Sequence, residues 1–271
     1  MRKHFRRSIA FTNEHGSWVF LLSPLLIGLF AGKSWSTPAI YLLVAALCAF
    51  LIRHPITIAV KAYSGRRSSR DLPAVRFWIT IYAGLGLLMV IGLILRGFGF
   101  LLYLALPGLL VFAWYLYLVS KRSERRQIGV EIIASGVLAL AAPAGFWIGV
   151  GNPDPTGWWL WGLTWLQSAA SIVHAYLRLE QRNWTEIPTL GARFKRGWRA
   201  LLYTGFNLTL VVILAVLGIL SPWLFIPFLF QWLETLWGAI NPAVGVKPTS
   251  IGFRQLAVST IFTIAFILTW N

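Results

Sequence analysis

FWITIYAGLGLLMVIGLIL, residues 77–95, runs for nineteen positions without a charged side chain and is bracketed by Arg76 and Arg96. A helix rises about 1.5 Å per residue, so this stretch covers roughly 28 Å, close to the ~30 Å hydrocarbon core of a bilayer. Outside a membrane a helix that is apolar all round would have to be buried on every side. In a chain of 271 residues that is 58% hydrophobic, with a mean hydropathy of +0.70, too little polar chain is left to bury it. The stretch reads as a membrane crossing.

Working outward, the same pattern recurs in about nine segments: 16–32, 37–53, 76–95, 99–119, 128–150, 157–177, 200–219, 222–240 and 251–270. The expected fold is all-α, a polytopic integral membrane protein in a single domain over 1–271. It has a basic tail over 1–15 and two larger connections over 54–75 and 178–199. The opening Arg2, Lys3, Arg6 and Arg7 resemble a signal peptide, but Glu14, His15 and Pro24 interrupt the pattern and no Ala-x-Ala site follows, so an uncleaved first helix is expected. Gly28-x-x-x-Gly32 and Gly145-x-x-x-Gly149 would let helix backbones approach closely.

Charge gives the orientation. Lys and Arg divide about 22 to 2 between alternate gaps, with only Lys33 and Arg96 in the minority set. Positive loops stay inside, so the N-terminus is expected in the cytoplasm and the protein in the inner membrane of a bacterium, or a related internal membrane. The formal charge of +16 is accounted for in the same way, with no nucleic-acid partner.

The polar side chains that enter the apolar segments gather on the basic side. They are Glu14 and His15 at the first helix, Arg53 and His54 at the end of the second, where Pro55 is expected to break it, and Glu124 and Glu131 about the fifth. His174, Arg178 and Gln181 share a face of the sixth, Asn207 enters the seventh, and Gln231 and Glu234 enter the eighth. Charges within a bilayer are costly and are usually functional or paired. Each residue alone also fits a helix cap or a topological charge. Together they suggest a polar pocket open on the basic side and closed at the far end. No His-x-x-x-His pair, Gly-x-Ser-x-Gly turn or phosphate-binding Gly-Lys-Ser/Thr loop is present, and Cys48 is an isolated buried thiol.

Asn13-Glu14-His15-Gly16-Ser17-Trp18 and Leu22-Ser23-Pro24-Leu25-Leu26-Ile27-Gly28 resemble the opening of the YwiC-like family of bacterial membrane proteins. So do Arg53-His54-Pro55, Glu124-Arg125-Arg126 through Glu131, and His174-Ala175-Tyr176-Leu177-Arg178. More distantly, the helix count and the two connections are similar to the UbiA superfamily of intramembrane prenyltransferases, in which Asp-rich motifs hold Mg²⁺ against an isoprenyl diphosphate. Here Asp71 stands without an Asn-Asp-x-x-Asp run, so the cofactor is left open, with Mg²⁺ admissible but lacking its usual ligands. The resemblance implies a membrane lipid partner of isoprenoid or quinone type. Glu131, His174 and Glu234 are the candidates for proton transfer. Glu14, His15, Arg53, His54, Lys61, Glu124, Arg178, Gln181 and Asn207 are the candidates for holding the head group. A non-catalytic lipid-binding or assembly factor is the alternative, and a transporter the second alternative.

Overall fold

The structure, a computed structural model, describes residues 7–10, 15–33, 35–123 and 127–270. Glu14, Glu124 and the side chain of His15 lie outside the described part. The described residues form helices joined by turns, with no strand among them. In chain order the helices are α1 (Arg7–Ala10), α2 (Val19–Ala31), α3 (Thr37–Tyr63), α4 (Leu72–Leu95) and α5 (Leu102–Ser120). They continue with α6 (Ile128–Ala139), α7 (Ala141–Val150), α8 (Pro155–Gln181), α9 (Leu190–Val216), α10 (Phe225–Ile240) and α11 (Pro248–Thr269).

Among the described residues six segments are long and apolar enough to cross a membrane: Thr37–Tyr63, Ser69–Leu95, Gly99–Ser120, Ile128–Val150, Leu190–Val216 and Pro248–Thr269. The protein is a multi-pass membrane protein. The other three expected spans are also helical, but α2 and α10 are short, and α8 carries too many polar residues to qualify. The crossings α4 and α5 turn their large apolar side chains outward, among them Leu87, Leu88, Leu95, Leu106, Leu109 and Leu110. In lipid that is the favourable arrangement, because backbone groups are satisfied within each helix.

The two long connections are shorter than the charge pattern implied. α3 continues through Pro55 to Tyr63, and α8 runs to Gln181 before α9 resumes at Leu190. A proline removes one backbone donor and bends a helix without necessarily ending it, and here Pro55 is buried against its neighbours. Helices of 27 residues reach about 40 Å, so their charged ends clear the apolar zone while still helical. The expected fifth span is broken at Leu140 into α6 and α7. Pro143 cannot donate to the carbonyl four residues back, which opens the ladder at that point.

Both Gly-x-x-x-Gly pairs meet in one interface between α2 and α7. A Cβ on Gly28 would lie 2.0 Å from the Ala142 carbonyl oxygen, and one on Gly149 would lie 2.1 Å from that of Gly32. α2 also packs against α8 and α11, where Ser23 and Thr263 share a hydrogen bond of 2.5 Å. α8 is central to the second half of the bundle and touches α6, α7, α9, α10 and α11.

Candidate functional site

Three helices each present one stripe to a common cavity of about 430 Å³. α8 contributes Ser171, His174, Ala175 and Arg178, α10 contributes Gln231, Glu234 and Thr235, and α11 contributes Ile251, Arg254, Gln255 and Val258. Each set follows the three- and four-residue spacing that places side chains on one helix face. The segment 241–246 closes the side of the cavity through Asn241, Pro242, Ala243 and Val246. The volume falls in the ~300–1,000 Å³ range of small-molecule pockets.

Gly238 sets how near α8 and α10 come. A Cβ there would lie 2.6 Å from His174 Cε1 and 3.5 Å from Arg178 Cδ. Its buried carbonyl accepts from Arg178 Nη1 at 2.8 Å and from Gln181 Nε2 at 3.0 Å. Arg178 Nη1 also donates to the Asn241 carbonyl at 2.6 Å and to Gln181 Oε1 at 2.9 Å, and Gln181 Oε1 accepts further from the Ala243 N–H at 3.2 Å. Carbonyls in the last turn of a helix have no intrahelical donor. Arg178 and Gln181 supply one to the end of α10, and the positive charge suits the negative pole of its dipole. Both side chains are buried.

Across the cavity Arg254 grips Glu234 with two hydrogen bonds, Nε to Oε1 at 2.6 Å and Nη2 to Oε2 at 2.9 Å. The Arg254 guanidinium stacks 3.7 Å over the Trp237 ring, and that of Arg178 lies 5.4 Å from the same ring. Formal charges in the cavity wall are therefore two positive and one negative. Gln255 Nε2 donates to Ser171 Oγ at 2.9 Å, the Thr235 hydroxyl donates to the Gln231 carbonyl at 3.0 Å, and Gln231 Nε2 donates to the Gln167 carbonyl at 3.1 Å. Two buried polar atoms are left over: Gln231 Oε1 and His174 Nδ1 have no hydrogen-bond partner among the described residues.

Phe228, one turn from Gln231 on α10, packs with Phe262 and Phe266 of α11, all three fully buried, with ring centroids 5.1 Å apart for the first pair and 5.9 Å for the second. A second cavity of about 520 Å³ lies between α5, α6, α7 and α8 and is lined by Phe100, Trp147, Trp158, Trp161 and Trp165. The indole N–H groups of Trp147, Trp161 and Trp165 are used on the carbonyls of Asp154, Gly136 and Ile132. These three tryptophans turn only ring surface toward that cavity, so the polar chemistry belongs to the first.

A family model described as YwiC-like protein matches residues 11–146, half of the chain. The chain belongs to the YwiC-like family. No curated protein and no solved structure matches it. In this YwiC-like protein the match covers α2 to α6 and the first part of α7, whereas every residue lining the polar cavity lies beyond it, between 171 and 258.

Of the residues singled out from the sequence, the structure brings together His174, Arg178 and Glu234, with Gln181 directly behind. Asn207 is buried elsewhere and donates to the Leu166 carbonyl at 2.8 Å, tying α9 to α8. Glu131 stands exposed in the first turn of α6 and accepts from the Tyr176 hydroxyl at 2.6 Å. Arg53, His54 and Lys61 do not line the cavity. The Arg53 guanidinium lies 4.4 Å from the Phe50 ring, His54 Nε2 is 3.1 Å from the Ser8 carbonyl, and Lys61 is in the last turn of α3. This part of α3 seats α1, whose Ile9 packs with Ile58 and Val75.

Arg254, Gln255, Ser171 and Trp237 were not singled out for the site. A carboxylate on α10 with no basic partner on its own helix was the available signal for Arg254. Among the described residues no group of three or more His, Cys, Asp or Glu could hold a metal ion. In the cavity the carboxylate of Glu234 is already taken by Arg254. The residues present do not fit the Mg²⁺ that a UbiA-like site would use.

Proposed function

We propose that this YwiC-like membrane protein holds the polar head of an isoprenoid- or quinone-type lipid in the cavity between α8, α10 and α11, within a UbiA-like helical bundle. The basic ends of the helices face the cytoplasm of a bacterial cell, as the distribution of Lys and Arg favours. The observation that carries the reading is a pocket of head-group size whose lining mixes apolar side chains with Gln231 and His174, each of which holds a buried polar atom without a partner among the described residues, Oε1 and Nδ1. Groups of that kind are costly until something bonds to them. The fully buried Phe228–Phe262–Phe266 cluster, one turn along α10 from Gln231, supports a dead-ended binding site over a transport route.

Binding is favoured over acid–base chemistry by the Glu234–Arg254 pair, which uses both oxygens of the one carboxylate that lines the cavity among the described residues. His174 is the residue left to move a proton there. Mass spectrometry of lipids retained by the purified protein tests the reading. Prenylated or quinone-type lipids should be enriched over the bulk membrane and lost in His174→Leu. A retained lipid pool identical to the bulk membrane overturns it.

A further inference from the structure

We infer that the cavity takes a head group bearing one negative charge, a carboxylate or a phosphodiester, on the Nε–Nη2 edge of Arg178. This rests on the lipid-binding reading above. In a guanidinium Nε–H and Nη2–H point the same way, and together they match two oxygens of a carboxylate or phosphate. Arg254 shows that use of the edge in this protein, since its Nε and Nη2 hold the two oxygens of Glu234 at 2.6 and 2.9 Å. Arg178 spends a different part of its guanidinium on α10: Nη1 serves the Gly238 and Asn241 carbonyls and the Gln181 side chain. Its Nε and Nη2 make no hydrogen bond among the described residues. Neither is among the buried polar atoms left without a partner, so the edge is not sealed off. Arg178 is 7% exposed and lines the cavity, which gives that edge its access.

Burial gives the open edge its weight. A charge taken out of water is costly unless it is paired, and no carboxylate forms an ion pair with Arg178 among the described residues. The last carbonyls of α10 offset part of the charge through Nη1, but the other edge is left without an acceptor. Glu234 cannot supply one, because both of its oxygens are on Arg254. The two guanidiniums lie against one ring, their carbons 5.4 Å and 3.7 Å from the Trp237 centroid, so Arg254 adds a like charge beside Arg178. With one carboxylate against two guanidiniums, a single further negative charge balances the lining. A diphosphate carries more than that, and a quinone carbonyl or hydroxyl carries none.

The test uses the full chain in an uncharged maltoside detergent, free of phospholipid, at pH 8, where an ordinary imidazole is neutral. Three probes share one tail: dodecanoate, methyl dodecyl phosphate and the neutral dodecanamide. Acetate is the anion without a tail. Titration calorimetry should show at least one of the two tailed anions binding about tenfold tighter than the amide, equivalent to about 1.4 kcal/mol. Arg178→Gln should abolish that preference. Arg199→Gln, which removes the same charge from an exposed position on α9 outside the cavity, should keep it. Ala175→Phe leaves every charge in place but fills part of the lining, and should also abolish it. Amide and anions binding alike overturn the inference and leave the lipid reading standing. Acetate binding as tightly as dodecanoate keeps the anion site and overturns the lipid reading, and binding of no probe overturns both. A preference that survives Arg178→Gln, or Ala175→Phe where the Arg178 variant does not fold, places the anion elsewhere and overturns the inference.

Discussion

Arg254 and Glu234 join α11 to α10 by a two-pronged ion pair whose guanidinium also stacks 3.7 Å above Trp237. The carboxylate side chain is largely covered and the guanidinium partly open. An open pair is worth about 0–1 kcal/mol and a planar bidentate pair more. Arg254→Ala and Glu234→Ala should each lower thermal stability in detergent, and the double variant should be little worse than either alone. A double-mutant cycle on the unfolding transitions should return a coupling of about 1 kcal/mol. Additive losses would show that the two side chains act separately.

Arg178 has a second duty besides topology, because its Nη1 serves the end of α10. Charge-assisted hydrogen bonds contribute about 1.5–3 kcal/mol, and unmade buried ones cost a similar amount. Arg178→Ala should destabilise by about 2–4 kcal/mol, lowering the yield of monodisperse protein in size-exclusion chromatography. Arg178→Lys should recover only part of the loss, since a single ammonium does not match the planar fork. Full recovery by Lys would show that charge alone matters.

The α2–α7 contact leaves no room for a Cβ at Gly28 or Gly149. Gly28→Ala would drive its methyl group into the Ala142 backbone, which has no flexible end to move aside. Overpacking of this kind costs about 1–3 kcal/mol or more. Gly84→Ala is the matched control: Gly84 is in α4 with open space where its Cβ would stand, so the change should be neutral or stabilising by about 0.5–1 kcal/mol. Melting of the two variants side by side in the same detergent checks the contrast.

The glycine pairs and the apolar stretches were legible because each is a local pattern with one physical consequence. His174, Arg178 and Glu234 were legible as polar residues lodged at one end of apolar segments. Arg254 was not, because a basic residue at that end already had a sufficient explanation in topology. Arg53, His54 and Lys61 share the basic end with the cavity, and a count along the chain cannot separate two clusters at the same depth. Pro55 misled for a related reason: whether a proline ends a helix or merely bends it is decided by packing around it, here the seat of α1 on α3 and α4. The partnerless oxygen of Gln231 is visible only once the bond from its NH₂ group to the Gln167 carbonyl is known.

Asp154 caps α8 from outside the membrane-spanning segments. Its carboxylate accepts from the Thr156 N–H at 2.8 Å, and hydrogen bonds from Thr156 hold its pKa below the ordinary carboxylate value. A depressed pKa means that the cap contributes above the unfolded-state value of about 4 and fades as pH falls through the folded one. Stability of the wild-type protein should be flat on this account from pH 7 to 5 and decline in more acid solution. Asp154→Asn keeps a capping oxygen and should remove that part of the acid sensitivity, while Asp154→Ala should lose the cap at every pH. Parallel melts across the acid range separate the three behaviours.

The orientation assigned from charge can be read with single cysteines. Cys48 is buried, so Cys48→Ser gives a background without a native thiol. Ser64 follows the end of α3 on the basic side, and Asn152 lies between α7 and α8 at the other end; both are exposed. If basic ends face inward, Ser64→Cys in intact spheroplasts should resist a membrane-impermeant maleimide and react only after lysis. Asn152→Cys should react before lysis. The reverse order would place the cavity between α8, α10 and α11 on the outer face, and would require its lipid to be loaded from that side.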